Sequence, residues 1–354
     1  MQGGKTALDC DSSASQEPRA RRRENVGMKA LIIGAAGMIG RKLTARLVRD
    51  GKVAGRAITQ MHLVDIVAPQ APANAPFPVA VDAFDIAAPY VAPKLIAPRP
   101  DIIFLLASVV SGEAEADFDK GYGINLGGTQ SLFEAIRREQ ALAGGAYRPR
   151  LVFTSSIAVF GAPFPDKIGD EFLCAPLTSY GTQKAICELL LADYSRRGFF
   201  DGIGLRLPTI CVRPGAPNKA ASGFFSGIIR EPLNGKEAIL PVDDSVRHWH
   251  ASPRAAVEFL LRAAELDLSL LGARRSLTLP GVSVTVGEQI EALRAIAGDK
   301  TVALIRRQPD ETITRIVAGW ARDFDPARAK SLGFCADANF SSIINAYIDD
   351  ELKT

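Results

Sequence analysis

The sequence predicts an α/β protein, a doubly wound parallel sheet carrying a smaller mixed α/β lobe, and three observations lead there. From Met28 onward short apolar runs alternate with amphipathic stretches, the pattern of parallel strands wrapped by crossover helices. A glycine-rich turn at residues 34–40 joins the first apolar run to the first amphipathic stretch. After Leu207 the alternation stops at a Pro/Gly/Asn-rich stretch, residues 208–223, and the pattern beyond it is mixed.

Residues 1–27 read as a disordered tail rather than a signal peptide, because Ser12, Ser13, Ser15, Glu17 and the basic cluster at 19–23 leave no apolar central run. Strands are predicted at 29–33, 62–64, 79–81, 102–106, 151–154 and 203–207, with helices at 37–50, from 118 to 139 and at 180–197. Residues 51–60 read as an enlarged loop before the second strand. Ser252 and Pro253 supply an N-cap and a first-turn proline for a helix whose apolar positions are Ala256, Val257, Leu260 and Leu261. Thr285 with Glu288 forms a capping-box signal for a helix to residue 296, and residues 341–352 read as a last helix. The expected division is a dinucleotide-binding domain at 28–213 and 243–270, and a substrate lobe at 214–242 and 271–354.

Composition narrows the function. The chain has 354 residues, 47% apolar and 23% charged, which is enough to bury a sizeable core. Lys and Arg number 42 against 39 Asp and Glu, and a net charge of +3 cannot make the phosphate-neutralising surface that nucleic-acid binding needs. No apolar run reaches the roughly 18 residues of a membrane span. Five cysteines, an odd number without C-x-x-C spacing, imply neither a disulfide framework nor a zinc site, and the expected compartment is a reducing cytoplasm.

In the turn, Gly34 permits the sharp bend, Gly37 lets an anion approach the backbone N–H groups at the helix start with Met38 and Ile39, and Gly40 lets helix and strand pack closely. A dinucleotide is the natural ligand, although such turns also arise for packing alone. Asp65 ends the second strand, where a carboxylate accepts bonds from both ribose hydroxyls and repels a 2′-phosphate; this favours NAD over NADP, the alternative being a turn cap. Asp85 with Ile86, after the third strand, either holds the adenine edge or forms a surface turn.

Thr154, Ser155 and Ser156 close one strand, and Tyr180 and Lys184 stand four apart on the next helix, hence on one face. A nearby ammonium is expected to draw the tyrosine pKa down from about 10 toward the range where a phenolate is an effective general base. Ser156 is placed to bond the oxygen that loses its proton. The plainer alternative is a packed ring beside a solvated lysine.

The glycine run, Asn125 with Gly128 and Thr129, the segment Phe153-Thr154-Ser155-Ser156 leading to Val159-Phe160-Gly161, and Tyr180 with Lys184 together resemble the extended short-chain dehydrogenase/reductase family, whose members carry a Rossmann domain. The resemblance implies Tyr180 as acid/base, Lys184 on the nicotinamide ribose, Ser156 orienting substrate, and Pro208 to Ile210 touching the nicotinamide. It also places Ala107, Ser108, Asn125 and Thr154 at the cofactor, NAD, and implies a homodimer paired through the helices that hold Tyr180 and Asn125, with Leu132, Phe133, Leu189 and Leu190 as apolar contacts.

Stretches at 109–118, 206–210, 219–226 and 247–254 resemble, more narrowly, family members that oxidise C2 of a four-carbon sugar acid with NAD. That resemblance implies a small sugar acid as substrate, with Ser111, Ser156, Tyr180, Asn218, Ser222, Arg247 and His250 in its site. Arg247 is the expected anchor for the substrate carboxylate, the alternative being a surface ion pair with Asp243 or Asp244. His248 and His250 share a face of an extended segment; they read as hydrogen-bonded pocket residues rather than metal ligands, and no metal is expected. The rival readings are a nucleotide-sugar epimerase or dehydratase, which would need a diphosphate-binding Arg/Lys set, and a non-catalytic NAD sensor on the same fold.

Overall fold

A computed structural model describes residues 27–215 and 221–352. Residues 1–26, most of the expected tail, lie outside it, as does Asn218.

The main sheet is built from β1 (Met28–Ile33), β2 (Lys52–Val53), β3 (Arg56–Asp65), β4 (Val79–Ala83), β5 (Ile102–Leu105), β6 (Arg150–Ser156), β8 (Asp201–Leu207) and β12 (Ser276–Thr278). The short β7 (Ile168–Gly169) pairs elsewhere, with β15 (Phe324–Asp325). The order across the sheet is β12-β8-β6-β5-β1-β3, with β4 and β2 both on β3. All of these pairings are parallel except β2 with β3. The chain runs outward from β1 to β4, then returns to β5 and runs the other way. The strand order therefore reverses between β1 and β5, and a crevice opens at their C-terminal ends.

Period-two alternation sorts the strand residues onto two faces. In β1, Ala30 and Ile32 join Leu43 and Leu47 of α1 (Met38–Asp50) on one side. Leu31 and Ile33 join, on the other, Leu95 of α2 (Val91–Ile96), Leu132 and Phe133 of α5 (Thr129–Leu142), and Leu191 of α6 (Ser179–Arg196). Two short helices, α3 (Ser111–Ala116) and α4 (Phe118–Gly121), precede α5, and a π-helical turn at Tyr122–Gly128 joins α4 to it, so the predicted continuous helix is interrupted.

A second body packs over the C-terminal edge of the sheet. It contains α7 (Gly223–Leu233), β10 (Ala238–Leu240), α9 (Val286–Ala297), α10 (Asp299–Val302), β14 (Ile305–Arg307), α11 (Glu311–Ala318) and α13 (Phe340–Tyr347). Phe225, Ile229, Leu240, Ile290 and Ile344 form its core. A three-stranded sheet, β13 (Val282–Thr285), β11 (Arg247–Ala251) and β9 (Thr209–Ile210), leads into it from the end of β8. Between them α8 (Pro253–Glu265) returns to the main sheet beside α1, and α12 (Ala327–Ser331) lies near β12. Ser252 caps α8, accepting from Ala255 N at 3.0 Å, and the Thr285–Glu288 box caps α9 with bonds of 2.6 and 3.1 Å.

Three expectations are corrected. Residues 51–60 are not a loop: β2 and the start of β3 form a hairpin whose two turn residues, Ala54 (φ 49°) and Gly55 (φ 72°), are both left-handed, the geometry that matches the strand twist. Residues 276–278 do not belong to the lobe, since they pair in parallel with β8 and extend the main sheet. The last helix is α-helical only to Tyr347 and loosens into a π-turn at Ile348–Leu352.

Candidate functional site

The crevice at the strand reversal holds a cavity of about 470 Å³. Gly34, Gly37, Met38, Ile39 and Gly40 form one end of its wall. Gly34 has φ +98°, and a Cβ on Gly40 would lie 2.2 Å from the Gly34 carbonyl, so this turn cannot close around larger residues. Gly37, by contrast, meets protein only at 3.4 Å and leaves its cleft side open. It is the N-cap of α1 without a side-chain cap, so the first N–H groups of the helix keep no capping partner, the arrangement that receives an anion such as a pyrophosphate. Asp65 stands at the edge of the turn, its carboxylate accepting from Ala36 N at 2.9 Å and Ile66 N at 2.7 Å. These features fit a dinucleotide.

At the far end of the cavity α6 begins. Thr178 caps it, accepting from Gly181 N at 3.1 Å, and Gly181 lets the helix start press on the Ile157–Val159 turn: a Cβ there would lie 2.1 Å from the Ala158 carbonyl. This approach brings Tyr180 to the end of β6. Its phenol faces the hydroxyls of Ser156 and Ser108. Ser156 Oγ also accepts from Ala158 N at 3.1 Å. Ser155, on the other strand face, donates instead to Glu188 at 2.5 Å, and Glu188 is gripped by Arg206. Strand alternation thus separates the two serines, and only Ser156 reaches the phenol.

One turn along α6, Lys184 is buried, its Nζ donating to the Thr154 carbonyl at 2.9 Å and lying 5.6 Å from the Tyr180 ring centroid. Burial pushes its pKa down to about 8, against smaller opposing effects of Cys187 and Glu188. Burial also pushes the Tyr180 phenol up, opposed by its bonds with Ser156 and Ser108 and by the positive charge of Arg213. The expectation that Lys184 draws the tyrosine down is thus corrected: desolvation dominates, and the opposing cation is Arg213.

Of the other predicted residues, Ser108, Ser111, Thr154, Pro208, Ile210 and Ser222 line the cavity. Ala107 packs its backbone behind Gly34. Asp85 accepts from Ala87 N in a turn, and Ile86 is buried against Gly128, so neither reaches the cavity wall. Asn125 lies behind the wall: Oδ1 accepts from Ser108 Oγ and Val109 N, each at 2.9 Å, and Nδ2 donates to Gln183 at 2.7 Å. It holds the 108–109 segment in place.

Two of the expected substrate residues, Arg247 and His250, do not line this cavity. On β11, His248 faces the cavity, so Arg247 points to the opposite face, where it pairs with Glu288 (3.2 Å) and donates to the Ser283 carbonyl (3.0 Å). Its partner is neither Asp243 nor Asp244; Asp244 pairs with Arg307. His250 shares the face of His248 but is fully buried between Phe225 and Phe340 with Gln289, away from the cavity. His248 Nδ1 lies 3.1 Å from the Ala321 carbonyl, which can only accept, so Nδ1 carries the proton and Nε2 accepts from Thr209 Oγ1 at 2.7 Å. Burial lowers its pKa to about 4, keeping the ring neutral.

Sequence reasoning missed Arg213, Arg230 and Trp320, all of which line the cavity. Arg213 falls within the Pro/Gly/Asn-rich stretch where the strand-and-helix alternation stops. Trp320 follows α11 and carries no signal beyond its size.

Fold and site together define a nucleotide-binding α/β protein of the oxidoreductase type, with a serine, a tyrosine and a lysine gathered beyond a glycine-rich turn. A model of the NAD dependent epimerase/dehydratase family matches residues 30–265, and the chain belongs to that family. It is 45% identical to a D-erythronate dehydrogenase of Cupriavidus necator over 91% of this chain and 98% of that protein. A D-erythronate dehydrogenase of Haemophilus influenzae is 40% identical over 92% of this chain and its own full length. A solved structure described as a nucleoside-diphosphate-sugar epimerase from Agrobacterium tumefaciens superposes with a TM-score of 0.90 at 60% identity, covering 97% of this chain and 98% of that one.

Proposed function

We propose that the protein is an NAD-dependent dehydrogenase of a small sugar acid, D-erythronate, giving 2-oxo-D-erythronate. The observation that carries this reading is the gathering of Ser156, Tyr180 and Lys184 in one cavity of a chain so similar, over nearly its whole length, to two D-erythronate dehydrogenases. When bound along the glycine turn, NAD supplies the hydride acceptor. Tyr180 takes the proton of the C2 hydroxyl, Ser156 Oγ bonds the oxygen as it becomes a carbonyl, Lys184 holds the nicotinamide ribose, and the Arg213 charge favours the phenolate. Asp65 selects NAD by accepting from the ribose hydroxyls and repelling a 2′-phosphate. The main-sheet wall serves the cofactor and the lobe wall serves the substrate.

The test is a panel of four- and five-carbon sugar acids with NAD and NADP, followed by nicotinamide absorbance. D-Erythronate with NAD is expected to give the highest kcat/KM, at least tenfold above NADP. The name of the solved relative from Agrobacterium tumefaciens favours a second reading, a nucleoside-diphosphate-sugar epimerase. Turnover of a UDP-sugar with no acid oxidised would establish that second reading in place of the first.

The free cysteines Cys174, Cys187, Cys211 and Cys335 support a reducing cytoplasm as its location. No described helix is long and apolar enough to cross a membrane. The protein is further proposed to form a homodimer through α5 and α6. Leu132 and Phe133 cannot serve there, because both are buried under their own sheet, whereas Leu189 is 73% exposed and Leu142 78%. Light scattering at micromolar concentration is expected to give twice the chain mass, and Leu189→Glu to shift it toward the monomer.

A further inference from the structure

We propose that Arg213, with Ser222 beside it, binds the carboxylate of the substrate and makes the enzyme selective for acids. The inference rests on the dehydrogenase reading. A carboxylate taken out of water into a cleft requires a cation or a comparable set of donors. Among the described residues the cavity is lined by three cationic side chains, Lys184, Arg213 and Arg230, and by no Asp or Glu. Two of the three are committed. Lys184 donates to the Thr154 carbonyl, and Arg230 pairs with Glu231 at 2.6 Å while its other arm donates to the Arg213 carbonyl at 2.7 Å.

Arg213 forms no ion pair with a described carboxylate. Its backbone is fixed by Ser226 Oγ, which accepts from Arg213 N at 3.1 Å, and its Nε donates to the Ile210 carbonyl at 2.9 Å. Nη2 donates to Ser222 Oγ at 2.8 Å. Nη1 makes none of these bonds, Arg213 lines the cavity, and a guanidinium braced at Nε and Nη2 with Nη1 to spare keeps donors for a carboxylate. The Ser222 hydroxyl, already an acceptor from Nη2, has its own proton to donate.

Position agrees with chemistry. In a 2-hydroxy acid the carboxylate is bonded to the carbon that is oxidised, so its anchor must sit beside the general base. Arg213 and Tyr180 line the same cavity and feel each other's charge. Arg247, on the far face of β11, does not meet this requirement.

The competing role is structural, with Arg213 merely bracing the segment between Ile210 and Ser222. The two are separated by measuring Arg213→Gln and Arg213→Lys with D-erythronate and with D-erythronamide, its neutral amide, beside NAD affinity and melting temperature. A carboxylate anchor predicts that Arg213→Gln raises KM for the acid about 10²-fold or more and lowers kcat/KM at least tenfold more for the acid than for the amide, whose smaller loss reflects only the cation removed from beside the Tyr180 phenol. Arg213→Lys should recover part of the loss, and NAD affinity should stay within twofold. A KM for the acid within threefold of the parent, or equal losses on acid and amide with a lowered melting temperature, would overturn the proposal. If the parent protein oxidises no sugar acid at all, the dehydrogenase reading fails and this proposal with it; if the parent does and Arg213→Gln is unaffected, only the proposal fails.

Discussion

Tyr180→Phe is expected to lower kcat for the acid by a factor of about 10² to 10⁴ while leaving the fold and NAD affinity intact. Phenylalanine keeps the ring at the start of α6, so the approach of Gly181 to Ala158 is undisturbed and only the hydroxyl facing Ser156 and Ser108 is lost. The described groups around it are poor replacements: His248 Nε2 already accepts from Thr209, the Lys184 ammonium is turned to the Thr154 carbonyl, and Ser156 loses the phenol that faced it. The pH profile adds a second readout. Because the phenol is pushed upward by burial, the fraction of phenolate grows with pH through the neutral and mildly alkaline range, and the parent's rate of acid oxidation should climb with it. In Tyr180→Phe the residual rate should lose that climb. A variant with parental turnover and a parental pH profile would remove the phenol from the reaction.

Much of this site is legible in the sequence, and the failures have physical causes. The strands show as short apolar runs because both faces of a parallel sheet are covered, and the glycine turn, Ser156, Tyr180 and Lys184 are tied to strand ends and a helix start that local pattern fixes. The hairpin at 52–57 escapes sequence reading because its turn is Ala54-Gly55, a weak signal compared with Asn-Gly. Arg247 has the right chemistry for an anchor, but alternation along β11 allows only one of Arg247 and His248 to face the cavity; the neighbour that decides, β13 with Glu288 just beyond it, is more than thirty residues away in sequence. Arg213 and Trp320 reach the cavity through the packing of a long loop and of the segment after α11, and nothing local announces where either side chain ends. The family resemblance assigns Asn125 to the cofactor, whereas the π-turn that holds it directs its amide to Ser108, Val109 and Gln183.

Lys184→Met is expected to weaken NAD binding at least tenfold and yet to leave the protein more stable near neutral pH. The lysine is 2% exposed, has no carboxylate within ion-pair distance among the described residues, and its ammonium is held by one carbonyl, Thr154, beside the faces of Phe153 and Tyr180. Burial lowers its pKa to about 8 from an ordinary 10.5, so folding near pH 7 carries a cost of about 3 kcal/mol at this position. Methionine fills a similar volume without charge, and loses one hydrogen bond worth about 1 kcal/mol. The net gain of about 2 kcal/mol corresponds to a rise of a few degrees in Tm. The sign of the pH dependence follows from the same shift. Between about 8 and 10.5 the unfolded chain binds the proton that the folded protein has released, so the parent gains stability as pH rises through that window, and the cost is complete below it and absent above. The Tm advantage of Lys184→Met should therefore be greatest at pH 7 and disappear by about pH 10.5. A variant less stable than the parent at pH 7, or an advantage that does not shrink with pH, would mean that the ammonium is compensated in the folded protein. A tight NAD complex in the variant would separate Lys184 from the ribose.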